Sequence, residues 1–323
     1  MDIDYLLMLQ RFRERINDVL TPFMELVSFL AITFLVLIPA FIYWCTNKRI
    51  GLYILSSYAL SSVLAVIIKL TACVYRPWIR DSRIVPAGNA VKTATGYSFP
   101  SGHTANATSI YGCLAQKLSK NQMWISFICL FMILLTAFSR NYLGVHTPQD
   151  VLTSIILGAA VVFGMSKLFA YLSYHKEKEN MLLAGGIAFG ILALVYISVK
   201  PYPSGIVNDE LLVDPKAMVK DGFSCIGRFT AFCSSRYVEK KWLRYVPSPS
   251  LKTAVLGIVG AVTTMLIITF CDSPLESVFG MQWGAFAKNF IMMSFIIVIW
   301  PAIMKLLIKD KVFKMMINNR INI

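Results

Sequence analysis

Long apolar runs separated by short polar gaps dominate this chain. Residues 26–45, 52–68, 124–138, 151–172, 181–199, 253–270 and 286–308 each approach the length of a membrane crossing. A bilayer core takes about 20 apolar helical residues per crossing, and lipid gives the backbone no hydrogen-bond partner outside its own helix. The pattern predicts an all-α fold, a polytopic transmembrane helical bundle. Residues 102–118 form a more polar span. Residues 217–235, amphipathic and rich in small residues, form a weaker one that carries Lys220, Asp221 and Arg228. Counting both, about eight to nine spans are expected. Before them, Leu6, Leu7, Leu9, Phe12 and Ile16 alternate with Arg11, Arg13 and Arg15, the pattern of a short amphipathic helix lying in the membrane interface. No signal-peptide order of charge, apolar stretch and small-residue cleavage site precedes it.

Composition agrees: 57% of the 323 residues are hydrophobic and 15% charged, with a mean hydropathy of +0.63. The net charge of +14 raises nucleic acid as a partner, but the placement of the cations argues against it. They collect in short gaps: Lys48 and Arg49; Lys117 and Lys120; Lys176 and Lys178; Arg236, Lys240, Lys241 and Arg244; Lys305, Lys309, Lys311 and Lys314. These gaps alternate with gaps poorer in such clusters, as cytoplasmic loops do under the positive-inside rule. The expected partners are therefore a bilayer and its anionic headgroups, with no nucleic acid. The same rule places the N-terminus outside and residues 236–252 and the basic C-terminal tail inside. The seven cysteines are scattered without CxxC or Cys/His spacing, so neither a disulfide framework nor a zinc site is expected. Three segments follow: an interfacial helix over 1–21, a membrane core over 22–180, and accessory helices with a basic tail over 181–323. Nothing in the sequence speaks to the oligomeric state.

Polar residues converge at one membrane face. Lys69 lies near the outer end of the second span, followed by Arg76 and Pro77. Pro100-Ser101-Gly102-His103 opens the third span, Ser139-Arg140 closes the fourth, and His146-Thr147-Pro148-Gln149-Asp150 opens the fifth. Each part alone has an ordinary explanation. An interfacial Lys or Arg snorkels toward headgroups. Ser101 can be a helix cap, and Thr147-Pro148-Gln149-Asp150 reads as an N-cap, a proline at N1 and an acid near N3. His175, beside Lys176 in a cytoplasmic gap, reads as a surface residue. Together the ordinary explanations fail, because three cations, two histidines and two helix N-termini at one depth would be costly without a ligand. Phosphate fits all of them. Helix N-termini present free N–H groups to an anion, and Gly102 lets the backbone come close. Arg76 and Arg140 can grip oxygens in a fork, and Lys69 adds a point charge.

These residues form the patterns K-x6-R-P from Lys69 to Pro77, P-S-G-H from Pro100 to His103, and S-R-x5-H-x3-D from Ser139 to Asp150. In that combination and order the sequence resembles the type 2 phosphatidic acid phosphatase superfamily, whose signature is shared with vanadium haloperoxidases and glucose-6-phosphatase. The resemblance covers about residues 22–172. It implies a phosphatase without metal or cofactor, acting on a lipid phosphate or pyrophosphate. His146 would be the nucleophile with Asp150 fixing its tautomer, and His103 the general acid. Lys69, Arg76, Ser101, Gly102 and Arg140 would hold the phosphate oxygens. The local chemistry agrees, since no carboxylate cluster here could hold a metal pair. The implied setting is a bacterial-type plasma membrane with the site on the extracytoplasmic side. A phosphotransferase on the same scaffold and a lipid transporter are the alternatives.

Overall fold

Caps and prolines decide where the helices begin. Asn47 accepts the Ile50 N–H at 3.0 Å and opens α4. Thr147 and Asp150 form a capping box ahead of Pro148 at the start of α9. Asp214 accepts the Lys216 N–H at 2.8 Å and precedes Pro215 at the start of α11, and Ser250 accepts the Thr253 N–H at 3.1 Å to open α12. The computed structural model describes residues 2–94, 96–118, 122–203, 206–207, 210–211 and 213–308. Lys120 and the basic tail with Lys309, Lys311 and Lys314 lie outside the described residues, as does Asp209.

The helices run in the order α1 (Asp2–Arg15), α2 (Thr21–Thr33), α3 (Leu37–Cys45), α4 (Lys48–Ala72), α5 (Pro77–Arg80), α6 (Ala90–Thr93), α7 (Gly102–Leu118), α8 (Met123–Tyr142), α9 (Pro148–Tyr174) and α10 (Lys178–Val199). A two-residue antiparallel ladder pairs Ile206–Val207 with Glu210–Leu211. Then come α11 (Pro215–Val238), α12 (Leu251–Phe270), α13 (Asp272–Phe279) and α14 (Met281–Ser294). α11 continues into a π-helical turn at Glu239–Leu243, and α14 through another at Phe295–Ile299.

Among the described residues, six segments are long and apolar enough to cross a membrane: Lys48–Arg80, Met123–Tyr142, Pro148–Tyr174, Lys178–Val199, Leu251–Phe270 and Met281–Ile308. This falls short of the eight to nine expected, for two physical reasons. The expected first span over 22–45 is two helices, because Pro39 has no N–H for the Leu35 carbonyl and its ring crowds that turn. α7 and α11 form as helices but carry too many polar residues to qualify by composition. α7 is packed against α4, α8 and α9, and α11 against α4, α10 and α14. Their polar atoms thus meet protein, which is the condition under which such helices survive at membrane depth.

Small residues set the closest of these contacts. A methyl added to Gly158 of α9 would lie 2.7 Å from Cβ of Thr108 on α7. One added to Gly227 of α11 would lie 2.6 Å from the Phe286 carbonyl oxygen on α14. At the other side of the bundle, the π-turn after α14 frees carbonyls that side chains of α3 collect. Trp44 Nε1 donates to the Ile296 carbonyl at 2.7 Å and the Tyr43 hydroxyl to that of Ile297 at 3.0 Å. α1 packs on α8 and buries Leu6 and Leu9. Arg13, expected on the polar face of an interfacial helix, is instead buried, its guanidinium donating to the Val85 carbonyl at 2.8 Å.

Candidate active site

The last turn of α4, the following loop, the N-termini of α7 and α9 and the last turn of α8 meet at one end of the bundle. α4 ends because Cys73 adopts a left-handed conformation (φ 49°), turning the chain so that Arg76 points back inward. Arg76 is buried, with Nε donating to the Gly96 carbonyl at 3.0 Å and Nη1 to that of Val145 at 2.9 Å. Nη1 also lies 2.9 Å from Nε2 of His146. A guanidinium can only donate, so Nε2 of His146 carries a lone pair and the ring proton is on Nδ1.

That proton faces Asp150, whose Oδ2 lies 3.3 Å from His146 Nδ1. The same oxygen accepts the Thr147 N–H at 2.8 Å and a short hydrogen bond from the Ser98 hydroxyl. Three donors thus fix one carboxylate oxygen, and the carboxylate fixes the imidazole's tautomer. Asp150 belongs to the capping box of α9, and its own carbonyl accepts the Ser101 N–H at 3.2 Å. This bond ties the N-termini of α7 and α9 together. Ser101 Oγ accepts from Thr104 Oγ1 at 3.1 Å and from the Thr104 N–H at 3.4 Å, the geometry of an N-cap. The first-turn N–H groups of Gly102 and His103 have no acceptor within their own helix, and a Cβ added at Gly102 would meet nothing within 4 Å.

Arg140 is fully buried. Its Nη1 donates to Ser28 Oγ of α2, while Nε and Nη2 have no partner among the described residues. His103 is also buried, and its Nε2 is likewise without a partner. Lys69 Nζ donates to the Tyr97 carbonyl at 3.2 Å. Burial, then the positive charges of Arg76, Arg140 and Lys69, hold the His146 imidazole well below its usual pKa, so it is neutral at pH 7. Buried nitrogens without a hydrogen-bond partner among the described residues, clustered with other cations, are what an anion would satisfy. Among the described residues no group of three or more His, Cys, Asp or Glu side chains could hold a metal ion.

All eight residues singled out from the sequence therefore belong to this one end of the fold. Hydrogen bonds directly join Arg76, His146 and Asp150, and Asp150 to Ser101. Sequence reasoning missed Ser98 and Ser28. Ser98 stands just ahead of the Pro100–His103 pattern, and Ser28 is a lone hydroxyl inside an apolar run, a weak signal that a buried donor needs an acceptor there. His175 lies at the far end of α9, exposed and 3.6 Å from Glu177.

Residues 50–174 match the family model of the PAP2 superfamily. The chain is 30% identical over 139 residues to an undecaprenyl-diphosphatase of Sulfolobus acidocaldarius, covering 43% of this chain and 64% of that protein. It is 29% identical over 156 residues to phosphatidylglycerophosphatase B of Bacillus subtilis, covering 46% of this chain and 72% of that protein. The match thus spans less than two thirds of the first relative's length. No solved structure matches the chain significantly.

Proposed function

We propose that this chain, whose residues 50–174 belong to the PAP2 superfamily, is a membrane phosphatase that hydrolyses a lipid phosphate or lipid pyrophosphate through a phosphohistidine on His146. The observation that carries this reading is the Arg76–His146–Asp150 array, with the lone pair of His146 Nε2 facing the Arg76 guanidinium. The incoming phosphate takes over the Arg76 contact to Nε2. Nε2 then attacks phosphorus, the bond to the leaving oxygen breaks, and His103 delivers a proton to that oxygen. Asp150 stabilises the imidazolium as it forms. Arg140 Nε and Nη2, Lys69, Arg76, Ser101 and the Gly102 backbone hold the phosphoryl oxygens. Water activated by His103 then cleaves the P–N bond, releasing inorganic phosphate and restoring neutral His146.

The charge on the enzyme's side of the transition state is carried by guanidinium, ammonium and helix N-termini, so the reaction needs no divalent metal. The site lies at the extracytoplasmic face of a plasma membrane, which is the orientation that puts most basic gaps inside. α7 and α11 cross the membrane wrapped by their neighbours, in addition to the six apolar segments. Phosphate release from a panel of lipids in detergent, with chelator present, tests the reading. An undecaprenyl diphosphate and a phosphatidylglycerophosphate head the panel because two relatives carry those substrates in their names, and phosphatidic acid and a sphingoid phosphate complete it. Turnover of none of them, or transfer of the phosphoryl group to a lipid instead of water, would overturn it.

A further inference from the structure

A cavity of about 660 Å³ opens at the end of the bundle opposite the candidate site. It is built from the start of α4, the end of α9, the start of α10 and the end of α11, whereas the candidate site uses the opposite end of α4 and α9. α9 packs on α4 and α10 packs on α11, so the two helices part from their shared turn at 175–177 and leave a groove between them. Its depth is apolar, with Leu52, Leu60, Met165, Phe169, Leu183 and Phe232 on the walls. Its volume lies within the roughly 300–1,000 Å³ of sites that hold small ligands.

The rim carries Lys48, Arg49, Lys176, Arg236 and Lys240 against a single acid, Glu179. Glu179 bonds Arg236 at 2.8 Å and Lys240 at 2.9 Å, and the buried Glu239 behind the rim bonds Lys48 at 2.5 Å and also pairs with Arg236. Three of the cations are therefore held in place by two carboxylates, which leaves the trio one charge in surplus. Arg49 and Lys176 are exposed, and neither pairs with a carboxylate among the described residues. Arg49 spends one N–H on the Phe169 carbonyl at 2.8 Å, which points its guanidinium over the groove wall. Glu177, the nearest acid in sequence to Lys176, faces His175 instead. The groove thus combines a surplus of positive charge at the headgroup level with an apolar trough leading inward.

We propose that this groove binds one anionic glycerophospholipid, its phosphate between Arg49 and Lys176 and an acyl chain along the apolar trough. A free anion would use only the rim, and a neutral lipid would leave the two cations unmatched. The bound lipid wedges between α9 and α10, and so couples the membrane's anionic content to the packing of α9, the helix that carries Asp150 in its first turn.

Native mass spectrometry of the full-length protein tests this, after exchange into nanodiscs of phosphatidylcholine with or without phosphatidylglycerol. The wild-type chain should retain one phosphatidylglycerol, and vanadate, aimed at the site at the other end, should not displace it. At about 1 kcal/mol per juxtamembrane cation, the double variant Arg49→Gln/Lys176→Gln should bind it roughly ten- to thirtyfold more weakly. Leu168 also lines the trough, so Leu168→Trp, which fills it and keeps the rim, should also lose the lipid, and glycerol 3-phosphate should not compete. Equal retention of phosphatidylcholine by the wild type overturns the proposal without reference to any variant. So does undiminished phosphatidylglycerol in either folded variant, or displacement by glycerol 3-phosphate or vanadate.

Discussion

His146 and His103 are both buried, yet their surroundings differ in a way that separates their roles. His146 has a hydrogen-bond partner on each ring nitrogen, whereas Nε2 of His103 has none among the described residues. His146→Ala should abolish both turnover and any acid-labile, base-stable phosphoenzyme, measured by labelling with radioactive substrate. His103→Ala should lose roughly 10²–10⁴-fold on a substrate with an alkoxide leaving group, and much less where the leaving group departs as a stable anion. Phosphoenzyme persisting in His146→Ala but lost in His103→Ala would exchange the two assignments. The pH dependence has a definite sign. Because burial and the neighbouring cations depress its pKa, His146 stays neutral well into the acid range, and the acid limb of phosphoenzyme formation should fall below the ordinary imidazole value of about 6.5. Removing one of those charges with Arg76→Gln eases protonation and should move that limb to higher pH, apart from any loss in rate. A limb that stays in place would mean that another group titrates.

At the scale of elements, the site depends on how α7 and α9 are held against each other. Gly158 allows that contact, and Gly158→Leu should push α9 away from Thr108 of α7. Overpacking of this kind costs about 1–3 kcal/mol, so a lower melting temperature in detergent and a loss of phosphate release are expected together. A lower melting temperature with full activity would show that the site does not depend on this contact. Some of this geometry was legible beforehand. The cap, proline and acid before α9 announce its start, and they do so because capping is a local interaction within four residues. Pro39 is an equally local signal that the run over 22–45 is broken, and it is one that apolar length alone does not register. The partners of Arg140 and Asp150 were not legible. Ser28 and Ser98 are separated from them by 112 and 52 residues, and nothing short of the folded helices relates those distances. The polar spans α7 and α11 sit between these cases, since their helicity follows from the sequence and their burial only from their neighbours.

For the molecule as a whole, the charge distribution and the cationic site lead to two expectations. Single-cysteine labelling at position 90 should occur only from the extracytoplasmic side and at position 241 only from the cytoplasmic side. The reverse pattern would move the site to the inner leaflet. Vanadate should inhibit, because its five-coordinate form resembles the phosphoryl group in transit, and chelators should not. Activity lost on chelation and restored by magnesium or zinc would require a different mechanism.

The first helix extends the boundary of the working unit beyond the matched segment. Asp2 of α1 pairs with Arg80 at 2.8 Å, Gln10 accepts the Val85 N–H at 2.9 Å, and Arg13 caps the Val85 carbonyl. The loop so fastened leans on the turn before His146, with the Ala87 N–H donating to the Leu143 carbonyl at 3.0 Å. A bulky fusion at the N-terminus, or a truncated gene starting at residue 50, would therefore disturb His146 from more than 60 residues away. Residues 50–174 are the part of the chain that matches the family model, and on this geometry they should not keep the site intact on their own. Expression tags belong at the other terminus, and chimeras that exchange catalytic cores should carry the first 49 residues along with them.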